Sequence, residues 1–168
     1  MDPIEKAICQ DLEKIPAQPN MGDWLWKYTK WTREVKSRLC RLAKDQEPPF
    51  SVYASGCSEA DHGEWLYDLC WSVEVKGEGC LIRLPLVAEI EWKPDGPCEG
   101  DFQKLLQARA EHRLWVFEAQ TPKDIENLFQ GYRDAVQRFQ GSGTGDRYLF
   151  AAVAWKPRQF YFHSHVCP

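Results

Sequence analysis

The chain has 168 residues, 43% of them hydrophobic, 27% charged and 13% aromatic, which excludes a disordered or fibrous chain and leaves room for one well-formed core. A net charge of −4 excludes a protein that grips nucleic acid by bulk positive charge and leaves only a local basic face for that purpose. No stretch approaches the roughly 20 apolar residues of a membrane helix, Met1 to Lys6 lacks a basic region followed by an apolar run, and the seven cysteines form no CxxC pair. The expectation is a single domain with free thiols, in the cytoplasm and without a membrane partner.

In chain order, Ile4 to Ile15 has a short helical pattern and ends at the prolines Pro16 and Pro19, so residues 1–20 read as an accessory segment or a partner-binding arm. From Asp23, a plausible N-cap, to Lys44 the positions Trp24, Tyr28, Trp31, Val35, Leu39 and Leu42 recur every three or four residues and predict a long amphipathic helix. Lys27, Lys30, Arg33, Arg38, Arg41 and Lys44 spread over its flank and back with Glu34 among them, as a solvated face or as a contact for a nucleic-acid backbone. Phe50 to Ala54 predicts a short strand and Ser55 to Gly63 a polar loop. Trp65 to Val75 then alternates as a strand with Asp68 on its less aromatic side.

Lys76-Gly77-Glu78-Gly79 predicts a hairpin turn into a strand over Cys80 to Trp92. A two-residue period puts Glu89, Glu91 and Lys93 on one face of it and Ala88, Ile90 and Trp92 on the other. Two carboxylates held side by side in a half-buried strand repel and lose hydration, so a divalent cation, a shared proton or a nearby lysine has to compensate them. The alternative is a solvent-facing side of an antiparallel strand, with Lys76, Arg83 or Lys93 as ion-pair partners across the hairpin.

After Pro94 to Pro97 a helix is expected from about Asp101 with Phe102, Leu105 and Leu106 inward. At 100° per residue Gln103 lies at the edge of that stripe and Lys104 nearly opposite to it. Leu114 to Glu118 predicts a strand, and Thr121-Pro122-Lys123-Asp124 carries a cap, a proline and an acid that open a helix running to Gly141. Gly141-Ser142-Gly143-Thr144-Gly145 lacks the lysine and the preceding strand of a phosphate loop. Tyr148 to Trp155 and Gln159 to His163 predict two further strands. His163, His165 and Cys167 alternate on one strand face, as zinc ligands could, though the chain end is expected to fray there. The order indicates an α/β (α+β) fold, a mixed central sheet flanked by helices.

A helix, a three-strand meander with Asp68 on its second strand and Glu89-Ile90-Glu91 on its third, a helix and a further strand together resemble the core of the PD-(D/E)XK, or restriction-endonuclease-like, nuclease superfamily. The resemblance covers residues 23–118 and leaves 121–168 as a C-terminal helix and strands. It implies a Mg²⁺- or Mn²⁺-dependent nuclease, an endonuclease-type hydrolase acting on DNA or RNA, alone or with a protein partner. Asp68 and Glu89 would bind the metal. Glu91 stands where the superfamily most often has lysine; a second alignment reads Glu91-Trp92-Lys93 as the acid-x-lysine motif and gives Lys93 that role. Glu34 from the first helix matches a further metal-side acid, and Gln103 the polar residue of the helix after the motif. An interaction protein without catalysis, built on the same fold, is the other expectation.

Overall fold

The strand expected around Glu89 lies inside a six-stranded sheet, with hydrogen-bonded neighbours on both of its edges. The structure, a computed structural model, describes residues 1–17 and 28–168. Asp23, Trp24 and Lys27, expected to open the long helix, lie outside the described residues. In chain order the elements are α1 (Pro3–Leu12), α2 (Tyr28–Lys44), β1 (Ser51–Ala54), β2 (Leu69–Glu74), β3 (Leu81–Glu91), α3 (Gly100–Gln107), β4 (His112–Ala119), α4 (Pro122–Arg138), β5 (Arg147–Ala154) and β6 (Gln159–Val166). The fold is a mixed sheet with helices on both faces, as expected. Among the described residues no helix is long and apolar enough to cross a membrane.

The strands lie in sequence order across the sheet. β1, β2 and β3 form an antiparallel meander; β3, β4 and β5 run parallel through crossovers that carry α3 and α4; β6 returns antiparallel to β5. Alternation along β3 sorts its side chains between two cores. Leu86, Ala88, Ile90 and Trp92 pack with Trp31, Val35 and Leu39 of α2 and with Ile8 and Leu12 of α1. On the other face Val87 packs with Phe102 and Leu105 of α3 and with Ile125, Phe129 and Tyr132 of α4. Burying these large side chains supplies roughly 2 kcal/mol apiece and holds both helix layers against the sheet.

α4 begins as its sequence dictates. Thr121 caps Asp124 N, the Asp124 carboxylate accepts from Thr121 N at 3.0 Å, and Pro122 fills the first turn. Thr121→Ala should cost about 1 kcal/mol, read as a lower urea midpoint at unchanged slope; an unchanged midpoint would show that the cap contributes nothing.

Two local expectations are corrected. The second strand starts at Leu69 rather than at Trp65, because Leu66 sits at φ 64°, a left-handed conformation that an extended strand cannot contain. Trp65 and Leu66 are exposed, and Trp65 makes only an isolated bridge to Tyr67. The C-terminus does not fray: β6 pairs with β5 from Gln159 to Val166, and Cys167 N donates to Asp146 O at 2.9 Å. All seven cysteines are free thiols.

Candidate active site at the carboxyl end of β3

The β2/β3 register places Leu69 opposite Ala88, so Asp68 and Glu89 meet at the mouth of the meander. The Asp68 carboxylate accepts from Ile90 N at 3.0 Å, and Asp68 N approaches Glu89 Oε2 at 3.4 Å. Glu89 is only 1% exposed, so the solvent-facing alternative does not hold for it. Its register partner on β4 is Trp115.

Two lysines compensate these acids, and neither comes from the hairpin. Lys36 of α2, 3% exposed, places Nζ 2.9 Å from Asp68 Oδ1 and 3.3 Å from Glu64. Lys104 of α3 places Nζ 2.6 Å from Glu89 Oε1 and 2.8 Å from Asp101. The Lys104 ammonium thus engages Glu89 Oε1 directly in a short ion pair. Four carboxylates thus face two ammonium groups. Burial pushes the Glu89 carboxyl up to about 7; the Lys104 charge opposes that rise and the Asp68 and Asp101 charges add to it. Burial would lower the Lys104 ammonium, but Asp101 and Glu89 outweigh it and raise the group above its ordinary value.

The other expected site residues lie elsewhere. Glu91 folds back to accept from Lys93 N at 2.7 Å, and Lys93 sits over the Tyr28 ring at 5.4 Å. Gln103 turns from the sheet and donates to Cys98 O at 2.8 Å, whereas Lys104, placed opposite the apolar stripe, is the residue that reaches Glu89. The reversal has a simple cause: a four-carbon stem on a short helix carries its ammonium back round the helix, so angular position limits lysine little. Glu34 is held by Arg38 at 2.7 Å. Lys36 had a signal in the sequence, since at 100° per residue it falls between Ala43 and Cys40 on the buried side of α2. Lys104 had none.

Among the described residues, the group of three metal-capable side chains with ligand atoms within 4.8 Å of one another is Asp2, Glu5 and His112, and this group could hold a metal ion. Asp68, Glu89 and Glu91 do not form such a group. His112 has Nδ1 2.9 Å from Pro85 O and Nε2 2.6 Å from Asp2. Fully buried Glu5 accepts from Arg147 at 3.2 Å and from Ser164 at 3.0 Å, so Arg147 holds part of the space that an ion would take. Arg147→Met removes the guanidinium partner of the buried Glu5 carboxylate, leaving it the Ser164 and Asp2 N donors, and should cost about 3 kcal/mol in urea denaturation with EDTA present. If Zn²⁺ recovers part of that loss in Arg147→Met but none in Arg147→Met with His112→Ala, the metal capacity is confirmed; no recovery in either leaves a purely structural ion-pair cluster.

Compared with known proteins, the chain matches no family model, no curated protein and no solved structure.

Proposed function

We propose that the protein hydrolyses phosphodiester bonds in DNA or RNA with a divalent cation, Mg²⁺ or Mn²⁺, held by Asp68 and Glu89, as in the PD-(D/E)XK nucleases that it resembles. The observation that carries this reading is the meeting of Asp68, just before β2, Glu89 of β3 and Lys104 of α3 at one point of the sheet. All-oxygen donors such as the Asp68 and Glu89 carboxylates suit Mg²⁺. A bound cation would supply Lewis acidity at the phosphate and a more acidic water.

The remaining chemistry belongs to this chain. Glu89, whose carboxyl burial raises to about 7, would hold the cation in its ionised form, its proton released to solvent. Lys104 takes the position beside the reacting phosphate that β3 leaves to Glu91, and there it steadies the attacking water and the developing negative charge. Lys36 holds Asp68 in place. A cleft of about 330 Å³ beside Lys36, lined also by Arg33, Thr29 and Ser55, offers cationic and hydroxyl contacts for the phosphates of a bound strand.

Purified protein incubated with single- and double-stranded DNA and with RNA should cleave at least one of them in Mg²⁺ or Mn²⁺ and none in EDTA. Glu89→Ala should abolish the cleavage; undiminished cleavage by that variant would sink the assignment. A specific observation favours a second reading, an interaction protein without catalysis. The two lysines already neutralise much of the acidic charge, and Glu91 turns away. Calorimetric titration of wild type and Glu89→Ala with Mg²⁺ and Mn²⁺ separates the two, since the second reading predicts no saturable heat that Glu89→Ala removes.

A further inference from the structure

The arginines at the opposite end of β3 are not used by the proposed chemistry. Arg83, Arg109 and Arg113 line a cavity of about 630 Å³ between the starts of β3 and β4, the end of α3 and the loop after α4. Arg113 stands opposite Val87, whereas Glu89 stands opposite Trp115, so the cavity lies on the Glu89 face about 7 Å back along the strands.

Arg113 is 4% exposed and rigidly held. Its Nε and Nη2 donate to Ala108 O at 3.1 and 2.7 Å, its Nη2 also to Asp146 at 3.0 Å, and its guanidinium stacks over the Tyr148 ring. Those bonds leave the buried Nη1 without a hydrogen-bond partner, in a side chain that lines the cavity. A guanidinium has five N–H donors, and a buried one seldom leaves two of them unspent unless a water or an anion takes them. Arg83 is paired with Glu111 at 2.6 Å, but exposed Arg109 has no ion pair or hydrogen bond among the described residues. The cavity is therefore locally cationic on a chain of net charge −4.

The loop Gly141 to Gly145 shapes this cavity without being its anion cradle. Three of its five amides are spent inside the fold: Ser142 N on Phe139 O, Gly143 N on Asp146 and Gly145 N on Cys167 O. Gly141 is needed for room, because a Cβ there would meet the Phe139 ring at 2.6 Å. Phe139 and Leu106 then form an apolar wall facing the arginines.

We propose that this cavity binds a small molecule with a phosphate monoester and a flat or apolar body, of the size of a mononucleotide. The exposed Arg109 guanidinium takes the phosphate oxygens, the Arg113 side chain adds its charge from the wall and turns its unspent Nη1 toward the phosphate on binding, and the Phe139 and Leu106 wall takes the body. The volume lies in the range of small-molecule sites, and arginine suits the several oxygens of a phosphate. This proposal does not rest on the nuclease reading.

The test is calorimetric titration of the full chain in EDTA at low salt, with AMP, inorganic phosphate and citrate as probes. AMP should bind saturably with one site per chain, phosphate more weakly and citrate no better than phosphate. Arg109→Glu and Arg113→Lys should each weaken AMP at least tenfold, while Glu89→Gln should change it less than twofold. Arg109 is exposed and unpaired, so its variant decides the matter even if Arg113→Lys fails to fold. Absence of saturable AMP binding overturns the proposal, as do citrate binding more tightly than AMP, indifference to Arg109→Glu, or loss of binding in Glu89→Gln.

Discussion

Glu89→Gln is expected to stabilise the protein at pH 8, by up to about 3 kcal/mol, and to abolish metal-dependent cleavage in the same molecule. The sign follows from proton linkage. Burial raises the Glu89 carboxyl from 4.5 to about 7 in the fold, so between those values the folded chain holds a proton that the unfolded chain has released. The wild type therefore has its full contribution below pH 4.5 and loses it as pH rises through 7. A glutamine has no charge to desolvate and loses nothing over that interval. The gain falls short of its ceiling because Lys104 gives up one partner, though it keeps Asp101. Urea denaturation from pH 4 to 8 in EDTA reads the difference between variant and wild type, which should open across that window. A variant less stable than wild type at pH 8 would mean that the Lys104 ion pair outweighs burial. Added Mg²⁺ should stabilise the wild type and leave Glu89→Gln unmoved.

The second large effect concerns which residue replaces the missing strand lysine. Lys104→Ala should lower cleavage by about 10²- to 10³-fold, the loss typical of one charge-stabilising donor, while Glu91→Gln should stay within about threefold. The asymmetry follows from geometry: Lys104 Nζ is 2.6 Å from Glu89, whereas Glu91 is spent on Lys93 N. A large loss in Glu91→Gln with a small one in Lys104→Ala would return the role to β3. Lys93→Ala belongs in the same series, because its ammonium lies over Tyr28 and the variant should resemble wild type. Metal affinity measured beside activity separates loss of chemistry from loss of the cation site.

Glu89 shows how far one-dimensional reasoning reaches in this chain. Alternation in β3 assigned Ala88, Ile90 and Trp92 to one core and Glu89 to the other face, and a carboxylate in that place demanded compensation, which the structure supplies. The same reasoning chose the wrong residue of α3 to approach it. Angular position works for short side chains and fails for lysine, whose reach exceeds the radius of its helix. Trp65 and Leu66 failed for another reason: their apolar character suits a strand, but a left-handed residue at Leu66 ends the pairing whatever the pattern says.

The sequence by itself determined the local features: the order of helices and strands, the capping box of α4 and the alternation in β3 that sets Glu89 on the face opposite Ala88, Ile90 and Trp92. Each depends on residues a few positions apart, where backbone periodicity and capping chemistry operate. Only the tertiary structure decided which charges meet. Lys36 reached Asp68 from α2 and Lys104 reached Glu89 from α3, while Arg147 of β5 and His112 of β4 gathered round Glu5 and Asp2 near the chain's start. Arg113 was left with an unspent donor at the wall of a cavity built from four separate segments. Charges act through space over several ångströms, and parallel crossovers bring together segments that no sequence period connects. The strand with its two acids was therefore legible from the chain, and the lysines that make it a candidate site were not.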